Sequence, residues 1–240
     1  MTFFFKNVNN INSFEMEDLF SDLQHIDTID FHSFFLSKLQ IFIRLVEFLR
    51  TKNQNHTFSR EKVCRNYIQC LQHDIELASE FKPIDTEADG NCFYYSVSKI
   101  LFGTDKQYKL LKLGAVFILL QYSEIFKTII LDSASTETYE KVLRVSAEDK
   151  TFANEFCILS IAILLDRPIY VFTDHAYHHN YTLNERHSRN NPLHMLHVNG
   201  NHFMPLLAKS KFSKTRSPNY NQYQKYFLNS MLDPLDMYEN

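Results

Sequence analysis

The chain has 240 residues, 45% hydrophobic, 22% charged and 15% aromatic, with a formal net charge of −3 at pH 7. That balance excludes an intrinsically disordered chain, and the lack of a basic excess argues against a general nucleic-acid footprint, so no nucleic-acid partner is expected. Four cysteines are too few for a disulfide scaffold, which points to a reducing, cytoplasmic setting in which a reactive cysteine stays a thiol.

Residues 1–80 read as a helical N-terminal extension. Met1 to Lys6 lack a sustained apolar run, so no cleaved leader is expected. Phe31, Phe34, Phe35, Leu39, Phe42, Leu45, Val46 and Leu49 recur at steps of three and four, one broad helical face. His32, Lys38, Arg44 and Glu47 interrupt the same stretch, so it is a buried helix and not a membrane span. A polar break follows, and residues 60–80 predict a second, more polar helix carrying Val63, Tyr67, Ile68, Leu71, Ile75 and Leu77.

Residues 81–87, with Pro83, read as extended chain, and Asp89-Gly90-Asn91 as a turn. Residues 92–101 form a helical pattern closed by Gly103 at the C′ position. Helices are also expected over 106–122 and 151–165, the latter stopped by Asp166-Arg167-Pro168. Residues 169–172 are β-branched and aromatic, a strand. A polar loop covers 173–191. Residues 193–198 and 201–207 then flank Asn199-Gly200, a hairpin whose type I′ turn needs positive φ at both central residues. Residues 209–240 read as a polar tail, in which Lys209, Lys211, Lys214 and Arg216 form a solvated basic cluster. Helices followed by a helix, a strand and a hairpin make an α+β pattern.

Two places could carry chemistry. Only four glycines are present, and Gly90 and Gly200 each stand two residues before a reactive side chain, Cys92 and His202. Cys92 opens a predicted helix, where free N–H groups and the positive dipole end favour a thiolate and could hold an oxyanion. His202 opens a strand after a tight turn, a rigid place for a base. The plain alternative is a small buried hydrophobe and an ordinary strand residue. The second place is histidine-rich: His175, His178, His179, His187, His194, His197 and His202 fall within 28 residues of chain. Imidazole and carboxylate suit zinc, but no His-Glu-x-x-His helix is present, and a solvated loop is the expected reading. His194 and His197 are expected as sheet residues with satisfied ring nitrogens. Cys64, Cys70 and Cys157 are expected as inert core thiols.

Asp89-Gly90-Asn91-Cys92-Phe93-Tyr94, with Ser96 following, resembles the nucleophile motif of the ovarian-tumour (OTU) family of cysteine proteases, and Asn201-His202-Phe203 resembles its histidine block. The resemblance spans about residues 81–208, taken as the protease domain. It implies an α+β, papain-type fold with a small central sheet flanked by helices, and a deubiquitinase that cleaves the isopeptide bond after the C-terminal glycine of ubiquitin. By position, Cys92 would be the nucleophile and His202 the general base. Asp89 would shape an oxyanion loop whose donors are backbone N–H groups around Gly90, Asn91 and Cys92. Phe203 would wall the substrate channel. The partner would be ubiquitin or polyubiquitin, with no metal and no cofactor. One position departs from the family: Met204 stands where many members carry an Asp or Asn that orients the histidine. Asp85, Asn199 and Asn201 are the candidate replacements, with Asp85 ranked first because its extended segment could lie alongside the His202 strand. Alternatives are a catalytically weakened ubiquitin-binding module, a metal-dependent hydrolase using residues 174–202, and acyl transfer on a substrate other than ubiquitin.

Overall fold

A computed structural model describes residues 13–52, 63–64, 67–68, 71, 75–133, 135–173, 179–181 and 191–209. Cys70, His175, His178, His187, Lys211, Lys214 and Arg216 lie outside the described residues. Three helices come first: α1 (Ser13–His25), α2 (Phe31–Ser37) and α3 (Leu39–Arg50), with a 3-10 turn at Thr28–Asp30. The single predicted stretch over 31–49 is thus two helices with a break at Lys38, whose backbone leaves the helical region at φ −117° and ψ 15°.

The predicted helix over 60–80 does not form as such. Val63 makes an antiparallel bridge to Ile84, Cys64 N–H donates to Pro83 O, and among the described residues of this stretch only α4 (Ile75–Glu80) is α-helical. The spacing of its apolar residues places Leu71 and Leu77 over the sheet without needing a continuous helix, since both are buried in the same cluster. Strand β1 (Phe81–Pro83) leads to α5 (Cys92–Phe102), which ends on Gly103 at φ 70°, as expected. Helix α6 (Tyr108–Gln121) follows, then α7 (Ser123–Asp132) and α8 (Tyr139–Ala147), in a stretch for which the sequence pattern predicts no element. Thr138 caps α8 by accepting from Lys141 N–H, and Asn154 caps α9 (Glu155–Leu165) by accepting from Phe156 and Cys157 N–H. Asp166, in the left-handed region at φ 48°, ends α9.

Strands β2 (Ile169–Thr173), β3 (His179–Tyr181), β4 (Leu193–Val198) and β5 (His202–Ala208) complete one five-stranded sheet in the order β1-β5-β4-β2-β3. Strands β2 and β4 are parallel; every other neighbouring pair is antiparallel. The β3 strand falls inside the stretch read as loop. It has three residues, too few for an alternating pattern to register. The β4–β5 turn has Asn199 at φ 54° and Gly200 at φ 69°, closed by Asn201 N–H donating to Val198 O. Val198 pairs with His202, so Asn201 is an extra residue in the loop.

The result is a mixed α+β fold, a small sheet with helices on it. Strand alternation divides the sheet into two faces. Ile169, Val171, Leu193, Met195, Phe203 and Leu207 join the main core with the helices, while Tyr170, Phe172, Leu196, Val198, Met204 and Leu206 join a second cluster with Leu71, Leu77 and Phe81. Helices α1–α3 belong to the main core. Phe42 is fully buried, stacked on Phe117 of α6 at 5.5 Å and packed on Phe35 at 4.2 Å. Arg50 donates from α3 to the last carbonyls of α9, at Leu164 and Ile163. Among the described residues no single helix is long and apolar enough to cross a membrane.

His194 corrects an expectation. It is 1% exposed in the second cluster, and neither ring nitrogen has a hydrogen-bond partner. Its ring sits among Phe81 at 4.4 Å, Tyr170 at 5.5 Å and Phe172 at 6.1 Å, and burial pushes its pKa down to about 3. The alternation that made it a sheet residue could not show that its neighbours on that face are aromatic.

Two outcomes follow from this packing. Phe42→Ala should cost about 3–5 kcal/mol, read as a lowered midpoint in urea unfolding; an unchanged midpoint would mean that α3 is not part of the cooperative core. For His194, the unfolded chain takes up a proton near the ordinary value of 6.5 while the folded chain resists until about 3. Stability from this group is therefore complete above about pH 6.5 and is lost as pH falls toward 3, by up to about 1.4 kcal/mol per pH unit. His194→Leu should flatten the acid side of the stability–pH curve relative to wild type, and parallel curves would rule the assignment out.

Candidate active site

Cys92 is the first residue of α5, preceded by the Asp89-Gly90-Asn91 turn. Asp89 makes this turn rigid: its Oδ1 accepts from Asn91 N–H at 3.0 Å and its Oδ2 from the Tyr95 hydroxyl at 3.1 Å. Gly90 is required by space as well as by its φ of +97°, because a Cβ there would lie 2.2 Å from Lys150 O. Asn91, fully buried, is tied to the α8–α9 loop: its Nδ2 donates to Asp149 Oδ1 at 2.9 Å and its Oδ1 accepts from Lys150 N–H at 3.1 Å.

This arrangement bears on the expected oxyanion donors. The Asn91 N–H is occupied by Asp89 Oδ1, so its share in an oxyanion hole is not supported. The amides of Gly90 and Cys92 have no hydrogen-bond acceptor beyond the Cys92 sulfur among the described residues. Asp89 thus ties the turn to itself and to Tyr95, and in doing so takes one of the donors out of use.

Helix α5 meets β5 at Cys92. Phe203 N–H donates to Cys92 Sγ at 3.4 Å, and Sγ lies 3.9 Å from Asn201 O. Ser96 Oγ reaches both Cys92 O at 2.7 Å and Phe203 O at 3.2 Å, and Thr86 Oγ1 donates to the same Phe203 O at 2.7 Å. The sequence places Cys92 and His202 apart by more than a hundred residues; the fold puts them on adjacent elements. Phe203 does not wall an open channel. It is 5% exposed, with its ring edge-on to Phe93 at 5.4 Å and stacked on His197 at 4.2 Å. Alternation turns that ring into the core, and only its backbone touches the site.

Cys92 is 1% exposed, and burial pushes its thiol above the ordinary value. The Phe203 and Phe93 amides work in the opposite direction and the Asp89 charge adds to the rise. The thiolate expected from a helix start alone is therefore opposed by desolvation, which dominates. His202 is half-buried, and burial pushes its imidazole below its ordinary value while the charge of Asp85 raises it. Its Nδ1 is buried and has no hydrogen-bond partner.

The three candidate orienting residues sit differently. Ile84 N–H donates to Pro205 O, and the β1–β5 register, continued, sets Asp85 opposite Met204. Residues paired across a ladder share a face, and so do residues two apart on one strand; Asp85, Met204 and His202 are on the same face. Asn199 is exposed and its Nδ2 donates to the Tyr67 hydroxyl at 3.1 Å. Asn201 is exposed in the turn, with its carbonyl and not its side chain near Cys92.

Several residues around the turn escape sequence reasoning. Tyr95 could have been found from its spacing of four from Asn91 on a helix. Asp149, Lys150 and Tyr108, which donates to Asp149 Oδ1 at 3.2 Å, give no local signal. No group of three metal-ligating side chains occurs among the described residues; His194 and His197 point to opposite faces of the sheet. Cys157 is buried with its sulfur 3.1 Å from Ser146 Oγ, a core thiol as expected, and Cys64 is half-buried.

Residues 87–203 match the family of OTU-like cysteine proteases. No curated protein matches the chain. Similar solved structures include the OTUD1 OTU domain, 15% identical, covering 58% of this chain and 93% of that one at a TM-score of 0.49. The Hazara virus OTU bound to ubiquitin is 16% identical, covering 56% and 86% at 0.43. A ceOTUB1 complex with ubiquitin aldehyde and UBC13~Ub is 14% identical, covering 62% and 93% at 0.46. The matched segment, residues 87–203, contains the turn, the cysteine and the histidine, and it is this part of the chain that is similar to OTU-like cysteine proteases.

Proposed function

We propose that the protein is a cysteine-type deubiquitinase that hydrolyses the isopeptide bond after the C-terminal glycine of ubiquitin. The observation that carries the reading is the meeting of the Asp89–Cys92 turn with the His202–Phe203 strand at Cys92 Sγ, inside the segment of OTU-like cysteine protease sequence. Ubiquitin as the substrate comes from the family resemblance.

In this reaction His202 takes the Cys92 proton, and Sγ adds to the scissile carbonyl carbon. Negative charge on the carbonyl oxygen is met by the Gly90 and Cys92 amides. His202 then gives its proton to the leaving lysine amine as the C–N bond breaks, leaving a thioester on Cys92. Water, deprotonated by His202, adds to the thioester; the C–S bond breaks, and the proton returns to Cys92. Asp85 is the carboxylate that orients His202, since it shares the His202 face and its charge acts on the imidazole. The site needs no metal or organic cofactor, and a reducing compartment keeps the thiol available.

A second reading is favoured by particular features: Met204 at the position of the usual orienting residue, a Cys92 thiol held by Phe203 N–H and Asn201 O, and a His202 ring with an unpartnered Nδ1. These fit a ubiquitin-binding module with little turnover.

One reagent separates the two. Ubiquitin with a thiol-trapping electrophile at its C-terminus should form a single covalent adduct on Cys92, absent in Cys92→Ala and in protein unfolded beforehand. Binding of ubiquitin without an adduct would favour the second reading, and an adduct on Cys64, Cys70 or Cys157 would overturn the assignment of the nucleophile. For the orienting residue, Asp85→Ala should lower kcat/KM by roughly tenfold to a hundredfold. That is less than the about 10⁴ lost when the equivalent carboxylate of a serine protease is neutralised, because a thiol needs less help. A loss within threefold would leave Cys92 and His202 as a dyad.

A further inference from the structure

The turn before Cys92 is closed by Asn91 N–H donating to Asp89 Oδ1, and it also leans on the α8–α9 loop. Lys150 O fills the space where a side chain at Gly90 would stand, and Asp149 and Lys150 bind both ends of the Asn91 amide. That loop is itself strained, because Lys150 is a non-glycine residue at φ 57°. A residue in the left-handed region costs on the order of 1 kcal/mol or more and persists only where its surroundings over-determine it.

The surroundings include a side chain from outside the family segment. Gln24, near the end of α1, donates from Nε2 to Ala147 O at 2.9 Å and accepts at Oε1 from Asp149 N–H at 3.0 Å. Its amide thus brackets the start of the loop, satisfying the carbonyl that ends α8 and the N–H just before the strained residue. Asp149 in turn carries Asn91 and Tyr108 on one carboxylate oxygen. From Gln24 to the Gly90 amide the path runs through Asp149, Lys150 and Asn91, each link a hydrogen bond or a backbone contact.

We infer that Gln24 is a positioning residue for the oxyanion-binding turn, so that the N-terminal helices take part in setting the catalytic geometry. The inference rests on the deubiquitinase reading for its kinetic consequence, but not for the mechanical one. Gln24 touches no reacting atom. It sets where the Gly90 and Cys92 amides point, and these matter most when charge builds on the carbonyl oxygen. Its loss should fall on kcat and spare KM.

The test compares three full-length proteins: wild type, Gln24→Met, which keeps the length of the side chain and removes both hydrogen bonds to the loop together with the one from Nε2 to Phe20 O within α1, and Glu17→Gln. Glu17 pairs with Lys109 of α6, docking the same helix without touching the loop. On ubiquitin carrying a fluorogenic C-terminal amide, Gln24→Met should lower kcat about tenfold, below the 10²–10³ seen when an oxyanion donor is removed outright. KM should stay within twofold, alkylation of Cys92 by iodoacetamide should be unchanged, and Glu17→Gln should match wild type. Hydrogen exchange supplies a readout that needs no turnover. The Asn91 and Lys150 amides should exchange at least tenfold faster in Gln24→Met than in wild type, and at the wild-type rate in Glu17→Gln. Unchanged exchange at both amides in Gln24→Met would overturn the inference, as would an equal loss of kcat in both variants, which would reduce the effect to helix docking. If wild type fails to turn over ubiquitin, the deubiquitinase reading falls, and the exchange rates alone decide whether Gln24 holds the turn.

Discussion

The candidate site depends on the junction between the start of α5 and the backbone of β5 at Phe203. One residue supplies both sides of the contact: its N–H reaches Cys92 Sγ, and its carbonyl collects the Ser96 and Thr86 hydroxyls. Helix and strand are thereby fixed at close quarters by short polar side chains, with the Phe203 ring packed on Phe93 to fill the space beneath. The backbone on either side of His202, Asn201 O and Phe203 N–H, lies at Cys92 Sγ, which sets His202 next to the nucleophile helix. A hydroxyl at position 96 and an aromatic at 203 are part of the chemistry in this sense, although neither reacts.

The second support is a buried charge. Lys112 is fully buried on α6, its Nζ donating to Glu148 O at 2.6 Å and lying 4.6 Å from the centre of the Tyr94 ring. An ammonium taken out of water is costly unless its donors are used, and burial here lowers its pKa to about 8. Thr151 Oγ1, 3.4 Å from Nζ, itself donates to backbone carbonyls at Val145 or Glu148. Lys112 therefore holds the α8–α9 loop from inside while Gln24 holds it from the surface. Tyr94, beside Lys112, is two residues from Cys92, so the loop, the buried lysine and the nucleophile helix form one block.

What the sequence makes legible follows the range of the forces involved. The Asp-Gly-Asn-Cys turn, the Gly103 cap and the Asn199-Gly200 hairpin are short-range backbone events, and each forms at its predicted place. Helix α9, apolar on all sides, reads clearly because it is buried on all sides. Residues 60–80 misled because an i, i+3, i+4 pattern records which side chains are buried and not the backbone that buries them; a bridge and short turns at Val63, Tyr67 and Leu71 satisfy it equally. Asp149, Lys150 and Gln24 were illegible for a different reason. Their partners in other elements are 41 to 125 residues away, and a lone polar residue carries no periodic signal. Phe203 was legible as an aromatic next to a histidine, but the face its ring takes depends on the strand register.

The electrostatics of the site separate two ideas that a motif runs together, a cysteine at a helix start and a cysteine that is ionised. The helix start supplies amides, and those of Phe93 and Phe203 do favour a thiolate. Burial outweighs them, and the same burial disfavours the imidazolium at His202. Thiol and imidazole both resist charge, so the pair is most stable neutral in this conformation, and a proton moved between them creates two charges in a poorly hydrated place. The cost of that step falls when the charges are used as they form: the thiolate by bonding to carbon, the imidazolium by a carboxylate at its other nitrogen. Asp85 is the acidic residue set on the His202 face by the strand register, and its influence on the imidazole is already in the stabilising sense. A methionine at position 204 is then a consistent choice rather than a defect. An acidic side chain there would stand directly opposite Asp85 on the same face, and like charges across a ladder repel. On the proposed reading, Asp85 on the β1 side supplies the counter-charge to the imidazole, while Met204 on the β5 side stays in the apolar cluster of that face.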